Sequence, residues 1–251
     1  MGKLAKAFLE FAGRRFGLNI ARDKRIGPLF EKVHLRRFLK HFKVDCVFDV
    51  GANTGQYAEM LRRSVGYEGL IISFEPVPEI FTELAKKAHS DPNWHVEPLA
   101  LDDRSGEAMI NVMREDQFSS LLEPTNGQVQ LFESANVVTA RTKVRTERLS
   151  TVYRKYSGQF QFSRPFLKLD TQGNDLKIAR EARDILHHLV GIQSELAIKK
   201  IYDGAPTYAE TISFFQECGF ELSAFVPNNE GYFPRLIETD CIMVRADLLE
   251  R

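Results

Sequence analysis

Short apolar runs alternate with amphipathic stretches along most of this chain. Cys46, Val47, Phe48 and Val50 form the first run, whose β-branched and aromatic content predicts a buried parallel strand over 46–50. A helical period follows over 55–64, then a strand over 69–74, a helix over 78–89 and a strand over 94–99. After Asp102-Asp103-Arg104-Ser105-Gly106 the period changes. Residues 108–113 and 142–146 read as two short strands around a polar loop, 114–140. A helix over 149–156, a strand over 165–169, a helix over 174–187, a strand over 190–196 and a helix over 207–218 come next. Strands over 220–226 and 239–245 flank a polar connector beginning at Pro227, which predicts an antiparallel hairpin. Ahead of all this, Leu4, Phe8, Phe11/Ala12 and Phe16 recur at helical spacing, Gly27-Pro28 breaks that region, and a second helix covers about 29–42. Alternating strands and helices predict an α/β fold: a doubly wound, mostly parallel seven-stranded sheet with an antiparallel last strand. Residues 1–43 read as a helical extension and 44–251 as the main domain. The 114–140 insertion is too long for a passive connector and reads as a lid or substrate loop.

At 251 residues, 43% hydrophobic and 27% charged, the chain has an ordinary globular composition and enough length for a substantial core. It contains no run of eighteen apolar residues, as a membrane-spanning helix would need. The N-terminus shows neither an uninterrupted apolar core nor a small-residue cleavage site, so no secretory signal is expected. Cys46, Cys218 and Cys241 match no zinc spacing and read as buried free thiols, which suits a cytoplasmic protein. The balanced charge, 34 basic against 34 acidic residues, hides an asymmetry. Residues 1–43 hold twelve Lys/Arg against Glu10, Asp23 and Glu31, so the remainder is correspondingly acidic. A basic amphipathic helix of this kind either lies on an anionic membrane surface or presents a solvated face over the main domain.

The chemistry concentrates in Val47-Phe-Asp-Val-Gly-Ala-Asn-Thr-Gly-Gln-Tyr57. A strand, a glycine-bracketed turn and a helix start place free N–H groups at a strand's carboxyl end, the usual site of a nucleotide-like cofactor. Dinucleotide binding needs G-x-G-x-x-G, but Asn53 replaces the second glycine and no third follows at the right offset. Asp49, two residues before Gly51, would repel a pyrophosphate and suits a ligand carrying an amino group and a sulfonium. The next strand ends in Glu75-Pro76, an acid able to accept from both hydroxyls of an adenosine ribose. Asp49, Gly51, Asn53, Gly55 and Glu75 together favour S-adenosylmethionine.

Further strand ends carry Leu99-Ala-Leu-Asp102, Ser119-Ser-Leu121, Lys168-Leu-Asp-Thr-Gln-Gly173 and Glu195. In this order the motifs resemble the FkbM family of S-adenosylmethionine-dependent methyltransferases, from about residue 44 to 246. The resemblance implies a Rossmann-like methyltransferase fold and methylation of hydroxyls on sugars, glycolipids or polyketides. It also implies that Ala100-Leu101 passes the adenine with Asp102 nearby. Ser120, with Ser119, is expected near the methionine end or the acceptor, or simply in a turn. Where the family often has Gly-x-Glu, this chain has Gly173-Asn174-Asp175, a shorter acid.

Methyl transfer to an alcohol needs alignment and a base for the hydroxyl proton. Asp170, at a strand end beside the expected crevice, is the first candidate, against the alternatives of capping the following helix or pairing with Lys168. Glu195, at the next strand's end, is the second. No metal is expected, and the acceptor is expected to be a small molecule, glycan or glycolipid. The alternatives are an N- or carboxyl-directed methyltransferase, or a non-catalytic cofactor-fold protein docking on membrane or nucleic acid through 1–43. Asp170-Thr-Gln-Gly173 stands where base methylases carry Asn/Asp-Pro-Pro-Tyr/Phe, which argues against nucleic acid as substrate.

Overall fold

The computed structural model describes residues 26–113, 119–123, 137–200, 202–227 and 234–250. In chain order the elements are α1 (Ile26–His41), β1 (Cys46–Val50), α2 (Gln56–Met60), β2 (Leu70–Phe74), α3 (Pro78–Ala88), β3 (Trp94–Glu97), β4 (Ala100–Leu101), β5 (Gly106–Met113), β6 (Val138–Glu147), α4 (Leu149–Phe160), β7 (Pro165–Leu169), α5 (Asp175–Glu181), β8 (Gly191–Ala197), α6 (Tyr208–Glu217), β9 (Phe220–Pro227) and β10 (Glu238–Arg245). The main sheet has seven strands in the order β3-β2-β1-β7-β8-β10-β9. The first five of these run parallel, and β10 pairs antiparallel with both β8 and β9. This is the doubly wound sheet with an antiparallel closing hairpin that the hydrophobic pattern predicts. The order reverses between β1 and β7, and a ligand crevice is expected outside the strand ends at such a reversal.

Both faces of β1 and β7 are buried, which explains their unbroken apolar runs. One core layer gathers Phe48, Phe74, Leu167 and Leu169 under α4 and α5. The other gathers Val47, Ile71 and Phe166 under α1 to α3. Helix α1 is seated by Leu35, Phe38 and Leu39, and Phe38 meets Phe166 edge-on with ring centroids 5.4 Å apart. A Cβ on Gly191 would come within 2.6 Å of the Phe38 ring, so the bare glycine of β8 makes the seat for this helix.

Several boundaries differ from the pattern; β6 and α4, for example, each run about four residues beyond the expected 142–146 and 149–156. Pro98 has no N–H to continue the ladder, so the expected 94–99 strand splits and β4 joins a second sheet, β4-β6-β5. The helix expected over 174–187 ends at Glu181, beyond which the chain winds on in tight i→i−3 turns such as Ile185 N–H to Ala182 O at 2.9 Å. Ala179, Ala182, Ile185 and Leu186 are all buried, so the helical spacing persists without the helix. Helix α2 widens into a π-turn over Leu61–Val65. Gly27-Pro28 lies inside the first turn of α1 rather than before it, where a missing N–H costs nothing. The expected helix carrying Leu4, Phe8, Phe11/Ala12 and Phe16 lies outside the described residues, as do 114–118 and 124–136 of the insertion. Among the described residues no helix is long and apolar enough to cross a membrane.

Candidate active site

Loops at the carboxyl ends of β1, β2 and β7 meet over a cleft of about 360 Å³. Its lining includes Gly51 and Asn53 after β1, Glu75 after β2, Leu99 to Leu101, Ile110 of β5, Ser119 to Leu121 of the insertion, and Lys168 and Asp170. The β1 turn is drawn tight by the N–H groups of Gly51 and Ala52, which donate to Phe74 O at 3.2 and 3.0 Å. Gly51 has φ 76°, and a Cβ there would lie 1.9 Å from the carbonyl oxygen of Asp170. The glycine is therefore required by the neighbouring strand-end loop as well as by any ligand. Gly55 stands outside the lining; it has φ 85°, and a Cβ would strike Trp94 and Leu84 at 2.8 and 2.9 Å. Asn53, at φ 48°, takes the left-handed conformation through its short amide, and its Oδ1 accepts from Thr54 N–H at 2.6 Å.

Glu75 is buried, and its carboxylate accepts from the backbone N–H groups of Asn53 at 3.0 Å and Val77 at 2.8 Å. It thus fixes the glycine turn to the end of β2 while still facing the cleft. Beside it Leu99, Leu101 and Ile110 form an apolar wall of the kind a purine needs. Asp102 lies off this wall: its Oδ1 accepts from Lys177 Nζ at 2.7 Å and Asn174 Nδ2 at 3.2 Å.

Beneath the cleft a polar row crosses the sheet, with Ser73, Asp49 and Lys168 in register. Trp94 Nε1 donates to Ser73 Oγ at 3.0 Å, and Ser73 Oγ donates to Asp49 Oδ2 at 2.9 Å. Asp49, 0% exposed, faces the Lys168 ammonium at 3.7 Å, and its Oδ1 accepts no hydrogen bond among the described residues. Burial pushes the Asp49 carboxyl up, and Lys168 and the Ser73 hydroxyl pull it back. Burial by itself would lower the pKa of Lys168, but Asp170 and Asp49 outweigh it and hold the ammonium charged.

The side chain of Asp170 is 37% exposed at the cleft, between two donors: Lys168 Nζ at 2.9 Å on Oδ2 and Gln172 Nε2 at 3.0 Å on Oδ1. The expected alternative of pairing with Lys168 therefore holds in the structure, alongside an open face toward the cleft. The same Gln172 nitrogen donates to Glu195 Oε2 at 2.9 Å, and Tyr202 OH donates to Gln172 Oε1 at 3.0 Å. Glu195 lines no part of the main cleft; it borders a small cavity behind it with Tyr202 and Glu238. Burial, and next Glu238, raise the Glu195 carboxyl well above its ordinary range. Ser120 Oγ donates to the carbonyl of Gln172 at 2.9 Å, tying the insertion to the Asp170 loop. Asp175 is buried and braces that loop, accepting from Thr171 N–H at 2.8 Å and Ser194 Oγ at 3.0 Å. This shorter acid in place of the family's glutamate is a support within the protein.

Sequence reasoning missed Glu31, Tyr57, Gln172, Gln193 and Asp240, all part of the cleft or its floor. Polar residues in the middle of strands that should be wholly apolar, Gln193-Ser194-Glu195 above all, were the available signal. Tyr202 is buried, with its hydroxyl donating to Gln172. Among the described residues no three His, Cys, Asp or Glu side chains group as a metal site.

Among solved structures, the chain is similar to Aeropyrum pernix fibrillarin with bound S-adenosyl-L-methionine (10% identity, 80% of this chain, 66% of that one, TM-score 0.43). It is similar also to the magnesium protoporphyrin IX methyltransferase of Synechocystis PCC 6803 (11%, 96% and 92%, 0.43). A putative rRNA methylase from Clostridium thermocellum gives 12%, 91% and 98%, and 0.44. Likenesses this distant say nothing about the acceptor. No curated protein matches the sequence. Residues 49–222, which hold the glycine turn, Glu75, Ser120, Asp170 and Glu195, match the family described as the methyltransferase FkbM domain. The chain belongs to the FkbM family of S-adenosylmethionine-dependent methyltransferases.

Proposed function

We propose that the protein transfers the methyl group to a hydroxyl of a sugar, glycolipid or related natural product. The observation that carries this reading is Asp170: a carboxylate on the cleft, held by two donors and still open on its exposed face. S-adenosylmethionine, when bound, supplies a methyl group on a sulfonium leaving group. In this reading Glu75 holds the ribose hydroxyls, Leu101 and its neighbours flank the adenine, and the Gly51–Asn53 turn lets the methionine end approach the backbone. Asp49, Gly55 and Asp102 serve by shaping that turn and wall from outside the lining. Asp170 accepts the proton of the attacking hydroxyl, and Lys168 and Gln172 keep its carboxylate aimed at the cleft. Glu195 acts through Gln172 as a positioning residue. Ser120 ties residues 119–121 to the Asp170 loop, so that this edge of the cleft and the base are held together.

The test is a mass-spectrometric screen of glycans and glycolipids for a methyl increment in the presence of S-adenosylmethionine, with Asp170→Asn as control. Loss of the base should lower kcat by roughly 10²–10⁴-fold with cofactor affinity unchanged. Methylation only of amines or carboxylates, or an Asp170→Asn enzyme as fast as wild type, would contradict the reading.

A further inference from the structure

Helix α1 precedes the 49–222 family match, yet one of its side chains lines the cleft. Leu35, Phe38 and Leu39 seat the helix on the sheet, and Glu31 lies one and two turns earlier on the same face. An acid on the buried face of a docked helix needs a partner. Glu31 Oε1 accepts from Gln193 Nε2 at 2.8 Å, and that same nitrogen donates to Asp240 Oδ2 at 2.7 Å. Gln193 is 1% exposed, and its Oε1 accepts from Tyr57 OH at 2.9 Å, so its amide is fully committed. The other carboxylate oxygens, Glu31 Oε2 and Asp240 Oδ1, accept no hydrogen bond from the described residues, and both residues line the cleft. Lys168 is the only cation lining the cleft among the described residues, and its ammonium is engaged with Asp170 and Asp49. The floor is short of donors already, as the unmet Asp49 Oδ1 shows. This end of the cleft therefore offers acceptor oxygens on two acidic side chains, and it lacks a cation.

We infer that the cleft end formed by Glu31 and Asp240 is a subsite for a protonated amino group, with the N-terminal helix supplying one of its two carboxylates. Burial, and next Asp170, push the Asp240 carboxyl up to about 8, and burial raises Glu31 as well, the expected result of gathering acids without a counter-ion. Two sources carry this chemistry: the α-amino group of the cofactor, or an amine on the acceptor. An ammonium bound there replaces bulk water with two charge-assisted hydrogen bonds. An acidic acceptor, such as a uronate or a phosphate ester, is repelled. The inference requires the cofactor cleft but not a particular accepting atom. A glycan screen that finds only amine methylation would overturn hydroxyl transfer and leave this subsite standing.

The test is calorimetry on the full chain with wild type, Glu31→Gln and Asp240→Asn. Glu31→Gln keeps an oxygen for Gln193 and removes only the charge; Asp240→Asn serves if the first variant does not fold. The probes are S-adenosylhomocysteine and 5′-methylthioadenosine, which lacks the amino-acid part. Glucosamine and N-acetylglucosamine are then titrated into protein saturated with S-adenosylhomocysteine. If the cofactor is the source, S-adenosylhomocysteine binds about tenfold more weakly to either variant while methylthioadenosine is unchanged. If the acceptor is the source, both nucleosides are unchanged, and glucosamine binds wild type, in preference to its N-acetyl form, but neither variant. Folded variants that match wild type for all four probes would overturn the proposal.

Discussion

Lys168 sits in the middle of β7, in a run that is otherwise apolar, and this one side chain organises the cleft floor. It holds Asp49 on one side and Asp170 on the other, so removing it would leave the buried Asp49 without a cation. The neighbouring Asp240 gives a readable consequence. Its carboxyl is raised from 3.8 to about 8 by burial and then by Asp170 and Glu31, while Gln193 and Lys168 act in the opposite sense. A folded-state pKa above the unfolded one contributes stability that is complete below the unfolded value and is lost as pH rises through the folded value. The free protein should therefore lose thermal stability between about pH 4 and pH 8. In Asp240→Asn that decline should be shallower, and what remains should come from other buried acids whose carboxyls are raised, Glu238 (to about 7), Glu195, Glu31 and Asp49. Thermal unfolding from pH 5 to pH 9 reads this directly; equal slopes for variant and wild type would contradict it.

At the scale of elements, helix α1 is a wall of the catalytic domain. It carries Phe38 onto Gly191 and Phe166, and the Arg36 guanidinium reaches the carbonyl groups of Ser64 and Val65 at the end of the π-turn. The sequence pattern placed this helix at about 29–42 and grouped it with the basic segment 1–43. The acid that faces inward, Glu31, is a single residue among many cations and carries no periodic signal. Phe38→Ala should cost about 3–5 kcal/mol in urea unfolding, the range for deleting a buried aromatic ring. A loss under 1 kcal/mol would mean that the helix is not held by this contact. The strand elements were legible because buried parallel strands have to be apolar end to end. The 174–187 boundary was not, because tight turns after Glu181 bury the same spacing of residues that a helix would.

Over the whole molecule, the sheet reversal between β1 and β7 brings Gly51, Glu75 and Asp170 together from segments far apart in sequence. Motif and strand-end reasoning foresaw that meeting. It did not separate residues that face the ligand from residues that hold those in place. Gly55 packs on Trp94 and Asp102 pairs with Lys177, at turns and strand ends that look alike in one dimension, while Glu195 stands inside β8 behind Gln172. The direction of a side chain at a strand terminus depends on the loop that follows, and only the folded loops decide it. This cleft is expected to bind S-adenosylmethionine with Glu75 on the ribose. Calorimetric titration of S-adenosylmethionine and S-adenosylhomocysteine into wild type and Glu75→Ala tests it most directly. Binding is expected in the micromolar range, on the order of −8 kcal/mol, and lost in a variant that remains folded by circular dichroism. A folded wild type that binds neither compound, or a Glu75→Ala protein that binds both as tightly as wild type, would contradict it.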